Sequence, residues 1–139
     1  MKTMLMLGGL SAALLVAIAP AYAQDDRQAI VVSADQRDMM RAEMRTFLVT
    51  VQDIVLALAE GDMPAVADSA RSMSRGRGMG GGMGRAMPME FHQMGRGTHI
   101  AFEELAQAAE FGPEGVMGEL GTLMSNCTGC HATFKLVVK

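Results

Sequence analysis

An all-α fold, an antiparallel four-helix bundle running up-down-up-down, is what this sequence predicts, and three observations carry the prediction. The chain has no tryptophan and is rich in Ala, Met, Leu, Glu and Gln, residues that enter helices at little cost, with few runs of β-branched or aromatic residues. Its apolar residues recur in alternating steps of four and three, the period of a helix with one buried face. Gly and Pro fall at a small number of places, where they divide that pattern into four stretches.

The elements follow in order. Met1-Lys2-Thr3 carries one positive charge, an apolar run reaches Pro20, and Ala21-Tyr22-Ala23 closes it with a small-x-small pattern. This reads as a secretory signal at 1–23, cleaved after about Ala23. A membrane anchor is the alternative, but the apolar run is short for a span and lacks a charged stop-transfer cluster. Residues 24–32 read as an irregular leader. Ser33 stands three residues ahead of Gln36, a capping-box pattern, and no Gly or Pro interrupts 35–60. Met40, Met44, Phe47, Val51, Ile54 and Leu58 form the inner seam of that first helix.

Gly61 ends the first helix, Asp62 caps the next, and Pro64 suits its first turn, giving a shorter second helix over 64–73. The segment 75–86 is dominated by glycine, each of which weakens a helix by roughly 1 kcal/mol relative to alanine, and it reads as a connector rich in Gly and Met. A third helix is expected over 88–109, with Phe91, Met94, Thr98, Phe102 and Leu105 inward and Gly95 and Gly97 marking a bend or a close approach. Gly112 and Pro113 restart the chain into a fourth helix over 113–136, whose face is Met117, Leu120, Met124, Cys127, His131 and Phe134.

Removal of 1–23 leaves 116 residues, enough for one domain at 24–139. Only Lys2 leaves with the signal, so eleven basic residues face fifteen acidic ones, a net charge of about −4. That balance argues against a nucleic-acid partner, which would want a basic face. No second apolar run occurs, so no membrane insertion is expected after cleavage.

The chemistry is concentrated in Cys127-Thr128-Gly129-Cys130-His131. Two thiols two residues apart, followed at once by histidine, read as a covalent haem attachment site, with the cysteines joined to the porphyrin vinyl groups and the imidazole on iron. On a helix the three side chains leave one face and can grip one planar group. The chain has no other cysteine, so a tetrahedral zinc site lacks its second ligand pair. The remaining rival is a redox or structural dithiol. Such a motif normally opens a helix after a strand, whereas this one lies in the last turns of a helix.

Met87-Pro88-Met89-Glu90-Phe91, Gly97-Thr98-His99, Phe102-Glu103-Glu104-Leu105-Ala106 and the run from Cys127 to Lys135 together resemble the class II c-type cytochromes, the cytochrome c prime family. Ala57-Leu58-Ala59-Glu60-Gly61-Asp62 resembles that family's first turn, and only the glycine connector looks unlike it. The resemblance implies an exported four-helix bundle with one haem c between helices, thioethers at Cys127 and Cys130, and His131 as the proximal ligand. Lys135 falls at the family's basic position near the proximal imidazole or a propionate, one turn beyond His131; a solvated cation at a helix C-terminus is the alternative.

The sixth ligand divides the family. Arg41-Ala42-Glu43-Met44-Arg45 is similar to the ligand-bearing stretch of its low-spin members, which implies Met44 on iron and electron transfer as the function. Met40 is a second thioether on the same seam, and Met44 as core filler is the alternative. An open sixth position would instead take nitric oxide or carbon monoxide. His99 is a further possible axial donor or a hydrogen-bonded surface residue. Met79, Met83, Met87, Met89 and Met94, with His92 among them, are soft donors of the kind that select Cu(I), and copper binding is the reading of a different class. The expected partners are redox proteins, and the resemblance implies a homodimer packed through the first two helices. Arg37, Arg41 and Arg45 on one side of the first helix form either a solvated face or a docking patch.

Overall fold

The structure, a computed structural model, describes residues 25–74 and 87–139. The expected signal at 1–23 and the Gly/Met-rich connector at 75–86, with Met79 and Met83, lie outside the described residues. Among the described residues the chain forms β1 (Gln28–Val32), α1 (Ala34–Glu60), α2 (Met63–Ser74), α3 (Met89–Ala108), a 3-10 turn (Ala109–Phe111), α4 (Pro113–Thr133) and β2 (Phe134–Val138).

Local chemistry sets most of these boundaries. Ser33 accepts the Gln36 backbone N–H through Oγ at 3.2 Å while its own N–H donates to Gln36 Oε1 at 2.8 Å, so the expected capping box is formed in both directions. α1 then runs 27 residues, about 40 Å at 1.5 Å per residue. It stops at Gly61, whose φ of 74° is the left-handed conformation that costs a side-chain-bearing residue strain. Asp62 Oδ1 accepts the Ala65 N–H at 3.0 Å and starts α2. α3 continues through Gly95 and Gly97 without a break, and a Cβ at Gly97 would only touch the Asn126 side chain at 3.9 Å. Pro113 opens α4 as expected.

Two expectations are corrected. Residues 28–32 are a strand rather than an irregular leader, and the fourth helix ends at Thr133 rather than near 136. β1 and β2 pair in parallel, with Ile30 opposite Leu136 and Val32 opposite Val138. The cause is visible in composition: Ile30-Val31-Val32 and Leu136-Val137-Val138 are β-branched or aliphatic clusters that favour a pleated, half-buried surface. Lys135 therefore lies in a strand, so its relation to His131 is not that of one helical turn.

The core is in two parts. The larger joins Ile54 and Ala57 of α1, Val66, Ala67 and Ala70 of α2, Ala101, Phe102, Leu105 and Ala106 of α3, and Val116 and Leu123 of α4. Each large side chain buried there contributes about 1.5–3 kcal/mol. The smaller joins Ile30, Val32, Met40, Met87, Phe91 and Phe134, so the sheet, the start of α1, the start of α3 and the end of α4 meet at one end of the molecule. On α4 the side chains in the larger core are Val116, Leu123 and, in part, Leu120, while Met117 and Met124 of the expected face are exposed.

Candidate functional site

Between the two cores lies a cavity of about 1230 Å³. Its wall draws on both cores, with Met40, Phe91 and Phe134 from one and Phe47 and Val51 from the other. α1 packs mainly on α2, and α3 on α2 and α4. The gap between α1 and α4 is left to the cavity, which leaves Met44, Leu48 and Met124 at its wall with 38, 70 and 42% of their surfaces open. Apolar side chains held open to one internal space mark a place for an apolar occupant.

α4 supplies the reactive groups. Cys127, Cys130 and His131 all line the cavity, as the three- and four-residue spacing on one helix requires. Leu123 stands four residues before Cys127 and seven before Cys130, so one inward stripe of α4 meets the larger core through Val116 and Leu123 and, further along, the cavity through Cys127, Cys130 and His131. The two cysteines are free thiols and half-buried. Burial pushes both thiols up from their ordinary value, and at Cys130 the neighbouring Cys127 adds to the rise. A redox dithiol works through a thiolate with a depressed value. The environment of this pair is the reverse.

α1 brings Met40 and Met44 to the same wall, Met40 buried in the smaller core and Met44 open to the cavity. Of the two thioethers, Met44 is the one free to meet an occupant. His99 also lines the cavity, half-buried, and its ring stands edge-on to Phe47 with centroids 5.4 Å apart. Its Nδ1 lies 2.7 Å from the Met73 carbonyl oxygen. A carbonyl only accepts, so Nδ1 carries a proton and donates.

The rim is basic. Arg41 and Arg45 of α1, Arg96 of α3 and Lys135 of β2 line the cavity against Glu43 and Glu103. In an acidic chain, four cations at one opening fit an occupant with anionic groups at its edge. Lys135 Nζ donates to the Asp25 carbonyl and stands 3.8 Å from its carboxylate. Neither Arg96 nor the contribution of the chain before Ser33 is foreshadowed in the sequence; a lone arginine on a helix gives no signal of the cavity it will face.

No protein-family model, curated protein or solved structure matches this chain. The site therefore rests on its own chemistry. Among the described residues no group of three or more His, Cys, Asp or Glu side chains is placed to hold a metal ion. A haem iron asks less of the protein, because the macrocycle supplies four donors and the chain only the axial ones. The residues fit that group on three counts: a large space lined mainly by apolar side chains, a thiol pair beside a histidine on its wall, and four cations among its lining. Of the methionines with a claim on copper, Met87 is buried in the smaller core with Met94 packed against that core, Met89 is 75% exposed, and Met79 and Met83 lie outside the described residues.

Among the described residues no helix is long and apolar enough to cross a membrane.

Proposed function

We propose that this chain is an exported, periplasmic mono-haem c-type cytochrome of the class II four-helix kind, an electron carrier rather than an enzyme. The single observation that supports the reading most is the placement of Cys127, Cys130 and His131 together on the wall of a cavity that parts the core. On this reading the helices run up-down-up-down, with the haem c lying between α1 and α4. Cys127 and Cys130 would hold it by thioethers, and His131 and Met44 would be the two donors that the chain offers its iron. When bound, haem supplies an iron that passes between ferrous and ferric states. The chain's own part would be to exclude water with Phe47, Leu48 and Val51, to hold His131 and Met44 in place on their helices, and to meet anionic groups of the cofactor with Arg41, Arg45 or Arg96.

A second reading has one observation in its favour: Met44 stands open beside apolar Leu48 and Val51, so if its sulfur does not close on iron, the sixth position is a dry pocket for nitric oxide or carbon monoxide. The absorption spectrum of the exported protein, oxidised and reduced, with and without carbon monoxide, separates the two. The electron carrier gives a low-spin spectrum with a methionine-sulfur charge-transfer band and no response to the gas. A high-spin spectrum that shifts with the gas assigns the second reading. Absence of haem overturns both.

The partners on this reading are redox proteins and a second copy of the chain. Leu48, Val49, Val55 and Leu56 of α1 are 46–70% exposed, and a helix face of this kind is normally covered. A dimer through α1 and α2 covers it, and Leu56→Glu then lowers the mass found by sedimentation to that of one chain.

A further inference from the structure

The chain changes from helix to strand at Phe134, three residues after the histidine of the haem motif, and that change leaves a backbone acceptor without its helical donor. The Phe134 N–H still closes on the Cys130 carbonyl, the last bond of α4. The next carbonyl in line, that of His131, would pair with the Lys135 N–H had the helix continued, but Lys135 belongs to β2. The donor that takes this place comes from the other end of the chain: Arg27 Nη1 donates to the His131 carbonyl at 3.1 Å and to that of Phe134 at 3.5 Å.

Arg27 is itself held on a fork. Its Nε and Nη2 donate to the two Asp25 oxygens at 2.8 and 2.9 Å, and its backbone N–H donates to Oδ1 at 3.3 Å. The strand pairing begins at the next residue, Gln28 opposite Phe134, and Ile30, Val32 and Phe134 anchor it in the smaller core. The guanidinium is thereby set at the negative end of the α4 dipole, where a cation is favoured, beneath the turn that carries His131.

We infer that Arg27 is a positioning residue for the proximal ligand, fixing the His131 backbone from the other end of the chain, and that Arg27 and Asp25 form a charge pair which sets the potential of the cofactor; this rests on the haem reading above. A positive charge near the iron favours the ferrous state and a negative one the ferric state. Removing the cation and removing the anion must therefore move the midpoint in opposite directions. A pair that only ties two strands together would loosen alike in both variants.

The test uses the exported, haem-loaded protein, with haem content measured first by its pyridine complex. Arg27→Gln lowers the midpoint potential, Asp25→Asn raises it, Arg27→Lys falls between wild type and Arg27→Gln, and all the shifts shrink as salt is added. Amide exchange over 131–138 quickens in Arg27→Gln and much less in Arg27→Lys. Midpoints that move in the same direction, or that do not move in a protein with full haem content, overturn the inference while leaving the haem reading intact. An exported wild type without haem removes the reading itself, and the inference falls with it.

Discussion

Met44 and Glu43, neighbours on α1, show how little of a residue's role lies in its type. Met44 sits on a seam with Val51 and Leu58, and any inward methionine on such a seam reads equally as core filler. What separates it from Met40 is burial: Met40 is 5% exposed within the smaller core, and Met44 is 38% exposed at the cavity. Met44→Ala therefore costs the haem-free fold little, within about 0.5 kcal/mol as for surface sites, and on the haem reading it abolishes the sulfur charge-transfer band and makes the reduced protein respond to carbon monoxide. Spectra and thermal melts of the one variant check both halves. Glu43 lines the same cavity, and burial raises its carboxyl above the usual range, against a smaller opposing pull from His99. A raised value means that the folded state binds the proton more tightly than the unfolded chain does. Its contribution to stability is then full below the ordinary carboxylate value and is lost as pH rises through the raised one. Glu43→Gln flattens that fall in a series of denaturant melts from acid to neutral pH. Asp25 acts with the opposite sign: Arg27 holds its carboxyl well below the usual range, so its contribution is present above that range and lost as pH falls.

At the scale of elements, the parts legible in the sequence were those with local causes. The capping box, Gly61, Asp62 and Pro113 each act within a few residues, and each stands where the chain predicts it. The strands were not legible in the same way, although Ile30-Val31-Val32 and Leu136-Val137-Val138 carried the composition for it. Their pairing joins residues more than 100 positions apart, and a terminal aliphatic run beside a helix reads as one more turn of that helix. α4 failed for a different reason. Leu120 and Leu123 alternate with Met117 and Met124, so the helical period alone does not tell which of the two stripes is buried. The structure does separate them, and the separation has a consequence that melts can read. Leu123, fully buried in the larger core, loses about 2–5 kcal/mol on truncation to Ala, as buried leucines do. Met117→Ala stays within about 0.5 kcal/mol, the range of surface changes. Equal losses at the two positions would mean that α4 is rotated from the phase described.

For the whole molecule, the question is what a chain of 139 residues gains by leaving a large space between two cores. A domain of this size buries a modest fraction of its surface, and its stability is the small difference between apolar burial and lost chain entropy, each of them far greater than the net. α1 and α4 have no extensive mutual contact to offset a gap on that scale. The side chains along the gap, Met44, Leu48 and Met124 among them, are apolar and open, so without an occupant they face water at a cost proportional to their area. An occupant that binds the folded chain and not the unfolded one shifts the balance toward folding. On the haem reading, the fold and the cofactor are then one stability problem. Cys127→Ser with Cys130→Ser, exported without covalent haem, is the variant that reads this directly. The expected product keeps α2, α3 and the larger core, because Val66, Phe102, Leu105 and Leu123 pack there independently of the cavity. The smaller core and the β1–β2 pair loosen with α1, since Met40, Phe91 and Phe134 adjoin the cavity. Amide exchange locates the effect: fast over 28–45 and 127–138, slow over 98–108, with binding of a hydrophobic dye and a lower melting temperature than the haem-loaded chain. Uniform protection over all four helices in the haem-free variant would show that the two cores close on each other without the cofactor, and that the space between α1 and α4 is not held open for one.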